Sequence, residues 1–403
     1  MPQERTHRAG KGDRGQALRR TLMRTVRPDV SRLARLLPEL GRMKGRRWRG
    51  RDLLALTQRT IDCLAGGPAF RPRPAVRMAA LFRQVGRAGR RGGDPLQRSA
   101  LLCRDALRRA GIPFPVRSHA ERLVACGRRP YNLVGSEAPP EAYMELACRL
   151  DTAALHHLEK AALQARAPGL RDGGRNRLKL FAAICRGFSA FGSPPGPLPG
   201  WDELENRGLT GGDLRRAANA LRYFRVVEKV RDEAALRERL EEQVAAPPGR
   251  LHLLVGPAGC GKSTWAAENL SDTWVVSTDR MRERLTGDVE DQSRNYEVFK
   301  KCGRMLRSGL RDGHDVTFDA TNYCRGVRQT PVAAARNAGA EVWSYVFDME
   351  LGEILARNRS RERRVPPEVI YRHWRGLEPP ALYEADVCHV VDGRGRVERY
   401  WPD

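Results

Sequence analysis

Apolar positions recur at helical intervals through most of the first 246 residues. Leu33, Leu36, Leu37 and Leu40 lie three and four apart, and Leu53, Leu56, Ile61 and Leu64 also recur at helical intervals. Further segments with this periodicity, separated by Pro and Gly, predict helices over 75–88, 96–110, 117–126, 139–149, 151–166, 174–187, 211–222 and 231–243. The pattern predicts a basic all-α domain over 28–246, preceded by an arm, residues 1–27, with at most one short helix. Phe191–Gly200 reads as a linker or surface loop, and the Pro-Pro-Gly after Ala246 as a domain boundary.

Beyond that boundary the pattern changes. Short apolar runs at Leu251–Val255, Trp274–Ser277, Asp315–Phe318 and Glu341–Phe347 are separated by longer mixed segments. Such runs predict the buried strands of a parallel α/β sheet, over 251–403. The first run passes into Gly256-Pro-Ala-Gly259-Cys260-Gly261-Lys262-Ser263-Thr264, which is G-x-x-x-x-G-K-[ST] between a strand and a helix. Glycines let backbone N–H groups wrap a phosphate chain, Lys262 adds a mobile positive charge, and the Ser263 hydroxyl can bind Mg²⁺. The flanking strand and helix set this apart from a chance match in a turn. The stretch predicts a nucleoside triphosphate site.

Charge changes the picture next. Residues 1–250 hold 50 Lys+Arg against 25 Asp+Glu, whereas residues 251–403 hold 23 of each. The abundance of Arg, Ala and Gly is also what a GC-rich coding bias produces, but such a bias would act on both parts alike. The one-sided excess, begun by Arg5, Arg8, Lys11, Arg14, Arg19, Arg20, Arg24 and Arg27, favours a polyanion-binding surface. The 9 cysteines contain no C-x-x-C pair, so neither a zinc cluster nor a disulfide framework is indicated. No run of about 18 apolar residues suggests a membrane span, and Met1–Arg8 lacks the apolar stretch of a secretory signal. A cytoplasmic protein without a membrane partner is expected. His156 and His157 are adjacent and on a helix would point in different directions, which disfavours joint chelation of one ion.

Three further groups come after the loop. Asp279, at a strand end, has Arg282 three residues on. A kinase acting on a hydroxyl needs a base and a cation there, although a helix N-cap with an exposed arginine has the same pattern. Asp319-Ala-Thr321-Asn322 places polar residues at the carboxyl end of a strand, where parallel sheets open their ligand crevice. Arg357 and Arg361 are four apart, which on one helix face would clamp phosphates; a solvated basic helix is the alternative.

Taken in order, these four motifs resemble the 5′-hydroxyl polynucleotide kinase family over residues 251–391. The resemblance implies ATP and Mg²⁺ as cofactors, bound at Gly256, Gly259, Gly261, Lys262, Ser263 and Thr264. It implies Asp279 as general base, Arg282 on an acceptor phosphate, Arg357 and Arg361 as lid arginines, and Asp319 and Asn322 organising the acceptor side. RNA or DNA 5′ ends are the implied partner. Neither a D-x-D-x-T phosphatase motif nor a K-x-D-G ligase motif is found, so a partner protein would have to supply those steps. Two other readings share the loop: a kinase of sugars, nucleotides or antibiotics, and an ATP-sensing nucleic-acid-binding regulator without turnover.

The helical region resembles HD phosphohydrolase domains over roughly residues 50–190, in spacing more than in identity. Their A-L-x-H-D-x-G-K segment matches Ala80–Arg87, L-V-x-x-H-x-x-P matches Leu123–Pro130, and A-D-x-x-G-R matches Ala161–Arg166. The metal ligands are replaced by Arg83, Gln84, Gly127 and Ala162, so the resemblance implies a degenerate HD-like scaffold without a metal centre.

Overall fold

The computed structural model describes residues 15–66, 71–89, 93–166, 172–192, 204, 206, 208–245 and 249–401. The chain forms two compact units that divide between Gly196 and Pro197, inside the segment read as a linker. Of the basic arm, residues 15–24 are helical, while Arg5, Arg8, Lys11 and Arg14 lie outside the described residues.

Among its described residues the first unit is helical apart from loops and one small hairpin of two-residue strands, β1 (Arg47–Trp48) and β2 (Arg51–Asp52). Four of its helices are started by aspartates: Asp29, Asp52, Asp94 and Asp151 accept from the backbone N–H of Arg32, Ala55, Leu96 and Ala154, satisfying donors that a helix start leaves open. The apolar faces meet in a core of Leu53, Leu56, Met78, Phe82, Leu107, Leu123, Leu155, Leu158 and Phe181. Helix Arg129–Gly135, which packs on Asp172–Gly187, was not predicted from periodicity; with Pro130 at its start it spans only two turns.

The second unit is built on a six-stranded sheet in the order β4-β5-β3-β6-β7-β8. Its strands are β3 (Arg250–Val255), β4 (Trp274–Ser277), β5 (Val316–Asp319), β6 (Glu341–Asp348), β7 (Val387–Asp392) and β8 (Val397–Trp401). The first five are parallel; β8 runs antiparallel along β7. Strands buried on both faces explain why β3 reads as an almost unbroken apolar run.

Helices Gly211–Val226 and Glu233–Ala245, read above as the end of the helical domain, belong to this second unit. Asn219 Nδ2 donates to Asp386 Oδ1 at 3.0 Å and to Ala385 O at 3.3 Å. Arg216 donates to Gly339 O at 3.1 Å, and Gln243 to Arg336 O. The boundary therefore falls near 196, not 246, and the charge split sharpens: residues 1–196 hold 40 Lys+Arg against 15 Asp+Glu, residues 197–403 hold 33 of each. No helix of the described residues is long and apolar enough to cross a membrane.

Candidate phosphoryl-transfer site

The site grows from the carboxyl end of β3. Gly259 and Gly261 take φ of +81° and +91°, a region that strongly favours glycine. At Gly256 the spacing is set by packing, since a Cβ there would lie 2.8 Å from Cys260 Sγ and 3.0 Å from Phe347 Cβ. Helix Lys262–Asn269 starts at the end of the loop, so its open N–H groups face the same space as the loop amides. Ser263 and Thr264 are exposed in its first turn. Lys262 is 7% exposed, its ammonium donating to Pro257 O at 2.8 Å and Gly256 O at 3.2 Å. Small residues, a helix N-terminus, two surface hydroxyls and a tethered cation fit a chain of phosphates and its metal.

Two neighbouring strands bring Asp279 and Asp319 to the same edge. Gly256 N donates to Thr321 O at 2.9 Å, which pins the segment after β5 to the loop. Ser277 and Asp319 are register partners at the ends of β4 and β5. Asp279 lies in the first turn of helix Thr278–Thr286, capped by Ser277. Its carboxylate is 62% exposed and accepts from Arg282 Nη1 at 2.8 Å.

Arg282 is only 7% exposed, and its other donors reach Asn295 Oδ1 at 3.1 Å and Val289 O at 3.4 Å. The guanidinium thus holds Asp279 in place, where the resemblance implied a contact to an acceptor phosphate. Asn322 departs similarly: it is 1% exposed at φ +46°, and Nδ2 donates to Leu254 O at 2.9 Å. It locks the β5 segment onto β3 and lies beneath the crevice. Asp319, half-buried, remains at the crevice edge.

The arginines separate. Helix Leu351–Arg359 carries Arg357 but ends before Arg361, which sits exposed in the following bend. The expected shared helix face is therefore absent. The cause is Asn358, whose side chain both donates to Val365 O at 2.8 Å and accepts from Val365 N at 2.9 Å, turning the chain back. Arg357 is placed at the loop: its Nη1 lies 3.3 Å from where a Cβ on Gly261 would stand, and Nη2 donates to Glu353 Oε1 at 2.9 Å and to Gly393 O.

Sequence reasoning missed Arg363, which approaches Asp279 Oδ2 at 4.0 Å and Glu290 at 3.4 Å. It also missed His373, stacked on Tyr323 with ring centroids 4.5 Å apart. Burial, and then the charge of Lys262, pushes His373 down to about 4. The signal for Arg363 was present in the basic run Arg357–Arg364; nothing local marked His373.

A mostly parallel sheet with this loop after an inner strand defines the class, a P-loop domain of the kinase type. A family model described as an AAA domain matches residues 251–380. Among known proteins the chain is similar to the L-seryl-tRNA(Sec) kinase of Methanococcus maripaludis, 26% identical over 139 residues that cover 32% of this chain and 53% of that protein. The chain thus spans about half the length of this curated relative.

Proposed function

We propose that this protein is an ATP- and Mg²⁺-dependent kinase that phosphorylates the 5′-hydroxyl end of RNA or DNA, acting in the cytoplasm. The observation that carries this reading is the gathering of loop, Asp279 and Asp319 along the carboxyl ends of neighbouring strands β3, β4 and β5, with Arg357 against Gly261. Bound ATP with Mg²⁺ supplies the phosphoryl group and a charge-neutralised ADP leaving group. Asp279, exposed and steadied by Arg282, takes the proton of the attacking hydroxyl. Lys262 and Arg357 face the charge that spreads over the transferring group, and Ser263 is the metal-side ligand. Arg361 and Arg363 lie in the segment that would close over the phosphates.

The net +25 of residues 1–196 supports a polyanionic acceptor. We read that unit as an HD-like scaffold whose ligand positions carry Arg83, Gln84, Gly127 and Ala162. The first and third of these do converge, because a Cβ on Gly127 would lie 2.8 Å from Glu159 Oε1, and Glu159 pairs with Arg83. A ligase or phosphatase partner would complete end repair.

A second reading has one observation behind it. The similar kinase is named for L-seryl-tRNA(Sec), so a hydroxyl carried elsewhere on an RNA is the rival acceptor. The test is transfer from γ-labelled ATP to 5′-hydroxyl oligonucleotides, the same oligonucleotides already 5′-phosphorylated, seryl-tRNA, and small sugars and nucleosides. Label on the 5′-hydroxyl oligonucleotides and not on their phosphorylated forms is expected. Label confined to seryl-tRNA or to a small molecule would overturn the assignment.

A further inference from the structure

A second concentration of positive charge lies in the helical unit, around the indole of Trp48 on β1. The guanidinium carbons of Arg87, Arg49 and Arg166 stand 4.0, 5.2 and 5.4 Å from its ring centroid. Arg83, 3% exposed, adjoins them and donates through Nε to Glu159 Oε1 at 2.7 Å. Arg128 adds a fifth charge: burial first, then the fields of Arg83, Arg166 and Arg128, push Arg87 down to about 10.

Among the described residues, Glu159 and Asp94 are carboxylates set against this cluster. Glu159 is fully buried and taken by Arg83; Asp94, 3.8 Å from Arg128, also caps the helix that starts at Pro95. Like charges held this close repel unless an anion sits among them.

The second observation concerns donors. Arg83 Nη1 and Gln84 Nε2 are buried without a hydrogen-bond partner, in side chains only 3% and 1% exposed. Gln84 spends its oxygen on Arg87 Nε at 2.7 Å, which leaves its amide N–H groups to give. Buried donors of this kind are costly to leave unmade. They belong to residues in direct contact with the arginine cluster.

We propose that Arg83, Gln84, Arg87, Arg128 and Arg166 form a binding site for a phosphate monoester, separate from the nucleotide loop. A monoester carries up to two negative charges on three terminal oxygens, enough to engage several guanidiniums and both buried N–H donors at once. A diester has one charge and is flanked by substituents on both sides. The inference stands whether or not the second unit phosphorylates nucleic acid, because it is read by binding and not by turnover.

The test uses the full chain carrying Lys262→Ala, which weakens anion binding at the loop. Calorimetric titration with inorganic phosphate, AMP, adenosine, and a short oligonucleotide with and without a 5′-phosphate is expected to show binding wherever a monoester or free phosphate is present, and none for adenosine. Arg87→Gln should weaken AMP binding about tenfold and the exposed Arg128→Gln several-fold, while Arg32→Gln, exposed and outside the cluster, leaves it unchanged. Tighter binding of the 5′-phosphorylated oligonucleotide than of its 5′-hydroxyl form, lost in Arg87→Gln, would assign the site to a nucleic-acid end, and binding of AMP without that difference to a free nucleotide. Failure of both phosphate and AMP to bind would overturn the proposal, as would an equal loss in Arg32→Gln and Arg87→Gln. Should Lys262→Ala not fold, the wild-type chain saturated with a non-hydrolysable ATP analogue gives the same readings.

Discussion

Arg328 in the second unit and Arg83 in the first are both almost completely buried, and each pairs through two nitrogens with a glutamate, Glu384 and Glu159. Their remaining donors differ. Arg328 gives Nη1 to Asn322 O at 3.0 Å and Glu378 O at 2.9 Å, tying the segment after β5 to the chain before β7. Arg83 keeps Nη1 without a partner and has Arg87 and Arg166 for neighbours. Buried charge in the charge-balanced unit is thus spent on holding the crevice in shape. In the basic unit Asp29, Asp52, Asp94 and Asp151 cap helices and Glu159, Glu121 and Glu39 pair with Arg83, Arg104 and Arg109, and the arginine excess is left for an anion.

Removing one carboxylate from each unit should separate the two most strongly. Asp386 is fully buried, accepts from Arg336, Asn219 and Val342 N, and joins helix Gly211–Val226 to the sheet. Asp386→Ala should cost about 3–5 kcal/mol, because it strands a buried guanidinium, and added phosphate should not restore it. Glu159→Ala strands Arg83 similarly, but millimolar phosphate should recover part of the loss. Thermal unfolding with and without phosphate separates the two, and equal rescue in both variants would erase the distinction.

A smaller effect concerns the surface. Replacing three exposed arginines of residues 15–66 with glutamine should flatten the salt dependence of oligonucleotide binding by up to about 0.7–0.9 in log–log slope for each lost phosphate contact. Three matched replacements in the second unit, away from Arg357–Arg364, should leave the slope nearly intact. An unchanged slope in the first set would show that the basic unit does not hold the acceptor.

The smallest effect is common to both units. Burial pushes His119 and His156 in one, and His252 and His373 in the other, down to about 4. The unfolded chain takes up these protons near pH 6.5, the folded chain only near 4. Stability is therefore full above about 6.5 and falls as pH drops toward 4. Melting temperatures recorded at pH 7.5 and 5.0 check this, and no decline at pH 5.0 would contradict it.

How far the sequence carried depends on whether the deciding interaction was local. Strands β3 to β6, the loop and its glycines were legible because burial on both faces and positive φ leave marks at the residues themselves. The membership of helices Gly211–Val226 and Glu233–Ala245 was not, since their periodicity matches the preceding helices and the contacts that place them, such as Asn219 with Asp386, span 167 residues. The helix end before Arg361 was hidden for a related reason: it is made by Asn358 reaching Val365, seven residues on. Strand β7 carries an apolar run, Val387-Cys-His-Val-Val391, of the same kind as β3 and was open to the same reading, whereas β8 is short, mixed and largely exposed and left no such mark.

Arg328 and Arg336 look like surface residues by type, yet both are fully buried. Only their distant carboxylates reveal it.

Whether Asp279 activates a hydroxyl beside the nucleotide loop is decided by the turnover of Asp279→Asn with γ-labelled ATP and a 5′-hydroxyl oligonucleotide, ATP affinity being measured in parallel. A loss of about 10²–10⁴-fold in turnover is expected, with ATP binding retained. Wild-type turnover in this variant would contradict the assignment of Asp279 as the base.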